Sequence, residues 1–111
     1  MDRKQLLGLK EKHWVELWDG RDVEVCLVPA GMPDVTTAKL MGINPERLVR
    51  SICTDAFIDF KGYVEGDKPV ENTLENRIEF FGFPACRDAI TMRLQLMNLE
   101  VLQGEETAVN D

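Results

Sequence analysis

One histidine, one serine and three widely spaced cysteines leave this 111-residue chain little with which to build a reactive centre. His13 stands beside Trp14 on a predicted strand with no cysteine or second histidine near it, so no metal site is expected there. Ser51 lies between Arg50 and Ile52 in a predicted helix and lacks the sharp strand-to-helix turn that exposes a nucleophilic serine. Cys26, Cys53 and Cys86 each fall in an apolar stretch, as reduced core thiols do, and the paired spacing of a zinc ribbon or a redox motif is missing. Cys86 falls in the first turn of a helix, where amides lower a thiol pKa, but Phe83 and Ala85 beside it favour inert burial. Gly62, Gly66 and Gly82 make no phosphate-loop or dinucleotide fingerprint and read as turn punctuation. No run approaches the ~20 apolar residues that span a bilayer. Residues Met1 to Leu9 show no signal-peptide pattern, so a cytoplasmic protein is expected. These absences argue against an enzyme, a cofactor, a metal and a membrane span.

Acidic residues are plentiful. Twenty of them against thirteen basic ones give a formal charge of -7, which repels nucleic acid and anionic lipid and leaves a protein as the expected partner. Glu71, Glu75 and Glu79 recur every fourth residue and read as a solvated helix edge. Asp55 and Asp59 could face one way only if a helix persisted across Phe57. Neither set implies the cleft that carboxylate catalysis requires.

Local patterning predicts an α+β domain, an N-terminal β-hairpin packed on a cluster of three to four α-helices. Residues 1–11 read as a flexible or amphipathic arm, residues 12–103 as the single domain, and residues 104–111 as a disordered acidic tail. Two β-rich runs, His13 to Trp18 and Arg21 to Val28, flank Asp19-Gly20, a strong hairpin signal. Val23, Val25 and Leu27 share one face, and Trp14 with Trp18 shares a face of the first strand, where an aromatic pair adds ~1 kcal/mol beyond its buried area. Pro29-Ala30-Gly31-Met32-Pro33 breaks the strand ahead of a short helical piece from Asp34 to Met41, ended by Gly42.

Asn44 as N-cap, Pro45 in the first turn and Glu46 at the positive end predict a helix to about Ala56. Phe57 to Val64 reads as irregular or weakly extended, and Glu65 to Val70 as an exposed connector. Asn72 or Thr73 starts the next helix. With Asn72 as cap, Glu75 takes the capping-box position, while Leu74, Ile78 and Phe81 face the core and Gly82 stops the helix. Pro84 opens a last helix expected to end at Gly104.

That last helix carries more apolar circumference than one contact covers. Ala85, Ala89, Met92, Leu96 and Leu99 form one stripe, and Ile90, Leu94, Met97 and Val101 form a second beside it. Arg87, Asp88, Thr91, Gln95 and Asn98 share a polar sector. If the first stripe packs on the hairpin and the preceding helix, then Leu94, Met97 and Val101 face a partner or a second copy, with Arg93 and Glu100 fixing orientation. The alternative is a monomer in which the arm and the Asn44 helix wrap this helix on nearly all sides.

Phe57-Ile58-Asp59-Phe60-Lys61-Gly62, a turn-rich spacer, Glu75-Asn76, and Phe83-Pro84 ahead of Ala89-Ile90 resemble the small tail assembly chaperones of long-tailed bacteriophages. The likeness covers about residues 57 to 90, and the N-terminal hairpin has no family motif to set against it. It implies a small, mainly helical protein that binds the phage tape measure protein and keeps it soluble while the tail tube assembles. In that family an extended form, made by frameshifting, recruits the tail tube protein. The resemblance further implies a place in the host cytoplasm and absence from the mature virion, with Glu75 and Asn76 at the family's paired positions, while the surplus apolar circumference of the last helix predicts a homo-oligomer. A structural tail or head-tail connection component, or a small homo-oligomeric bacterial interaction domain, are the alternatives.

Overall fold

The computed structural model describes residues 1–29 and 39–110. Its fold is α+β, with a three-stranded antiparallel sheet packed against helices. In chain order these are α1 (Arg3–Gly8), β1 (His13–Glu16), β2 (Glu24–Leu27), α2 (Pro45–Asp55), β3 (Phe57–Lys61), β4 (Val64–Glu65), β5 (Lys68–Pro69), α3 (Leu74–Gly82) and α4 (Pro84–Asn110). Most of the helical piece expected over Asp34–Met41 lies outside the described residues. Of the described part, Lys39 and Leu40 are helical, and the Gly42 N–H donates to the Lys39 carbonyl at 3.1 Å with the glycine at φ 70°.

The hairpin forms in a register one residue away from a two-residue turn. His13 pairs with Leu27 and Glu16 with Glu24, and the Leu17 N–H continues the ladder to the Val23 carbonyl at 2.9 Å. The primed hairpin turns need positive φ at the first central residue, but here only the second, Gly20, has it, at 75°. Asp19-Gly20 is therefore the centre of a Trp18–Arg21 turn inside a wider loop. The loop also separates the two tryptophans. Trp14 lies on the outer face of the sheet, with the Lys61 ammonium 4.0 Å above its ring, whereas Trp18 packs on the core.

The stretch after α2, expected to be irregular or weakly extended, is the third strand of the sheet. Val25 pairs with Phe60 and Cys26 with Asp59, but Leu27 pairs with Phe57, so Ile58 is an extra residue. This bulge turns two phenylalanines three residues apart onto one face, both buried, and hides the strand from a two-residue period. Asn72 supports the bulge. Its Nδ2 donates to the Ile58 carbonyl at 3.1 Å and its Oδ1 accepts from Arg77 Nη1, while Arg77 Nε donates to the Cys53 carbonyl at the end of α2.

With Asn72 so engaged, the cap of α3 is Thr73, whose Oγ1 accepts from the Asn76 N–H at 3.1 Å. Glu75 consequently stands one position earlier than the capping box requires and pairs with Arg50 of α2 at 3.3 Å. The α2 start follows its sequence signals: Asn44 Oδ1 accepts from the Glu46 N–H, Pro45 is in the first turn, Ile52 and Cys53 are buried, and Arg47 and Arg50 are exposed.

The core lies where the sheet meets α2, α3 and α4, built from Leu17, Val25, Leu27, Ile52, Cys53, Phe57, Phe60, Phe80, Phe81, Ile90 and Leu94. Phe80 stacks on Phe60 with ring centroids 5.8 Å apart and takes Tyr63 edge-on at 5.1 Å. The Tyr63 hydroxyl donates to Glu79 on α3. That carboxylate, helped by burial, holds the phenol proton and pushes its pKa up to about 12. A raised folded pKa means that the contact is fully present below the ordinary phenol value near 10 and is lost as pH climbs through about 12. Tyr63 is the sole tyrosine, so its phenolate absorbance should titrate near 12 in the folded chain and fall toward 10 in Glu79→Gln.

Two expectations at the C-terminal end give way. The final helix does not stop at Gly104 but runs through it to Asn110, so the segment expected to be a disordered tail is helical as far as it is described. Gly104 is absent from the positive-φ glycines and has another use, because a Cβ there would lie 2.7 Å from Leu9 Cδ2. The missing side chain admits the arm. α1, capped by Asp2, packs on this end of α4, where Ala108 is buried and Lys10 approaches Glu105 at 3.9 Å. No helix among the described residues is long and apolar enough to cross a membrane.

Candidate interaction surface

α4 has 27 residues, which makes it about 40 Å long. Its rotation about its own axis decides which apolar stripe is covered, and the outcome reverses the expected assignment. Ile90 and Leu94 are fully buried, and Met97 packs partly buried against the same core. Leu94 therefore cannot serve as a contact residue. The opposite side carries Met92, Leu96 and Leu99, which are 62%, 49% and 50% exposed.

A sequence signal for this rotation exists. The stripe of Ile90, Leu94, Met97 and Val101 continues at helical spacing into the small residues Gly104 and Ala108, which the arm covers, whereas that of Met92, Leu96 and Leu99 continues into Gln103 and Glu106. A stripe that turns small stays packed, and one that turns polar faces water.

Half-buried Arg93 and exposed Glu100 lie on one flank of this outer edge, with Gln95 and Asp88 on the other. Glu100, Met97 and Val101 also line a cleft of about 230 Å³ with Gly8, Leu9, His13 and Pro29, where the arm meets α4. Glu75 sits elsewhere, beside a shallow groove between α2 and α3 lined by Pro45, Val49, Arg50 and Ile78. Asn76 is occupied locally, its Nδ2 donating to the Glu71 carbonyl at 2.9 Å. The seven candidate interaction residues are thus divided between the core, the outer edge of α4, the cleft and α3.

Exposed methionine and leucine side chains cost folding little but reward association. Burying the exposed half of each is worth roughly 1 kcal/mol. Three on one edge, with Leu102 beside them at 52% exposed, form a patch suited to another helix.

The titratable groups are placed structurally. Burial pushes the Cys53 thiol up to about 11 and raises Cys26 and Cys86 as well, so each resists forming a thiolate. At Cys86, burial outweighs the lowering by the backbone hydrogen bond. α2 ends at Asp55, which separates that carboxylate from Asp59. Glu79 holds Tyr63, and Glu75 faces Arg50. Among the described residues, no three His, Cys, Asp or Glu side chains converge as metal ligands do. No protein-family model, curated protein or solved structure matches this chain, so the functional reading rests on its own residues.

Proposed function

We propose that the chain is a non-enzymatic assembly chaperone that covers an apolar helical partner with the outer edge of α4. The observation that carries this reading is the exposure of Met92, Leu96 and Leu99 on the side of the helix turned away from the core. An apolar helix edge is matched best by a second helix, whose own apolar stripe it shields from water. The charge of -7 keeps such a complex soluble and favours a client with basic flanks.

The likeness of residues 57 to 90 to phage tail assembly chaperones supplies the identity of the client, a tape measure protein held soluble in the host cytoplasm until the tail tube encloses it. A very long helical protein presents many copies of the stripe that this edge fits. Coexpression with helical fragments of the tape measure protein encoded beside the gene tests the reading. The native chain should keep the fragments in the soluble fraction and bind them, and Leu99→Glu should lose both effects while retaining its fold. A chain that leaves the fragments insoluble contradicts the proposal, and its retention in purified tails assigns a structural component instead.

A further inference from the structure

The outer edge of α4 is complementary to itself when two copies meet in opposite directions. We propose that the free chain forms a two-fold antiparallel pair through this edge, with Leu96 near the axis and Arg93 of each copy opposite Glu100 of the other. The proposal rests on the reading of this edge as the client surface, and makes self-pairing the resting state that a client helix displaces.

Met92, Leu96 and Leu99 are the seam, and Arg93 and Glu100 stand one heptad apart on the same flank of it. Among the described residues neither charge has an ion-pair partner within its own chain. A two-fold axis perpendicular to the two helices reverses the chain direction but keeps each flank on its own side. Arg93 then meets Glu100 twice, in two identical contacts. A parallel pair would set this flank against the other one, matching Arg93 with Asp88 but leaving Glu100 against the uncharged Gln95 and Leu102. The antiparallel arrangement satisfies both charges.

Charge reversal tests the register. By sedimentation equilibrium the native chain should pass from 12.6 kDa toward twice that mass as it is concentrated. Arg93→Glu and Glu100→Arg should each weaken the pair by about ten-fold, because each replaces two attractive contacts by two repulsive ones. Mixed in equal amounts, the two variants should pair as tightly as the native chain, since each of the two contacts then sets a glutamate of one chain against an arginine of the other. Unchanged urea midpoints at concentrations where every chain is monomeric show that both variants are folded. A native chain that stays at monomer mass throughout, or a mixture that recovers nothing, overturns the proposal. Client binding is read separately on the native chain: client capture by a native chain that stays monomeric refutes the pair alone, and self-pairing without client capture refutes the chaperone reading.

Discussion

Replacing Leu94 by alanine should remove about 3 kcal/mol of folding stability, and replacing it by aspartate should leave no folded protein. Leu94 has no exposed surface and sits in the cluster formed by the sheet, α3 and α4. Truncation leaves a cavity that close-packed aromatic neighbours cannot fill, whereas aspartate brings a charge into a core with no cation to meet it. A domain of this size has roughly 5 to 15 kcal/mol in total, so the alanine variant should fold with a clearly lowered urea midpoint. Leu96→Ala, two positions along the same helix and half exposed, should change the folding stability by less than about 1 kcal/mol. Equal losses at the two positions would mean that α4 is rotated so that Leu96 is as deeply packed as Leu94.

Gly62→Ala should cost about 3 kcal/mol or more, by roughly the sum of two independent effects. Its φ of 86° disfavours any side chain, and a Cβ there would lie 1.8 Å from the Asp22 carbonyl oxygen and 2.8 Å from its carbon. Both obstacles are backbone. Asp22 belongs to the loop between β1 and β2, and Gly62 crosses it just beyond the Glu24 and Lys61 pair, so relief would require parting β2 from β3. Gly66 provides the control, because it has φ 65° and a methyl group placed on it would meet nothing within 4 Å. Gly66→Ala should therefore cost only the backbone penalty, about 1 kcal/mol. Chemical denaturation of the two variants separates steric conflict from conformational preference, and similar losses would place the Asp22 loop away from Gly62.

What could be read from sequence was what neighbouring residues decide together. Asn44-Pro45-Glu46 caps α2 with its own side chain, Pro84 starts α4, and Asp19-Gly20 marks a turn between strands. What escaped depended on distant partners. The bulge at Ile58 is held by Asn72, whose use there also passes the helix cap to Thr73. Gly104 carries the sign of a helix end, but Leu9, nearly the whole chain away, makes it a docking point. The rotation of α4 was hidden for a related reason. Its two apolar stripes are similar in hydrophobicity up to Val101, and the residues that tell them apart, Gly104 and Ala108 against Gln103 and Glu106, lie at and beyond the expected helix end. Consequently the existence of surplus apolar surface could be inferred from periodicity, while Leu94 was assigned to the wrong side.

Both proposals require the outer edge of α4 to be exposed in one chain and covered by another. The ε-methyl resonance of Met92, one of five methionines, reports this directly through its broadening by a soluble paramagnetic probe. In dilute protein the methyl should be strongly broadened, and protection should grow as the chain is concentrated or a helical client is added. A Met92 methyl already sheltered in the dilute chain, or one equally accessible under all three conditions, would contradict both.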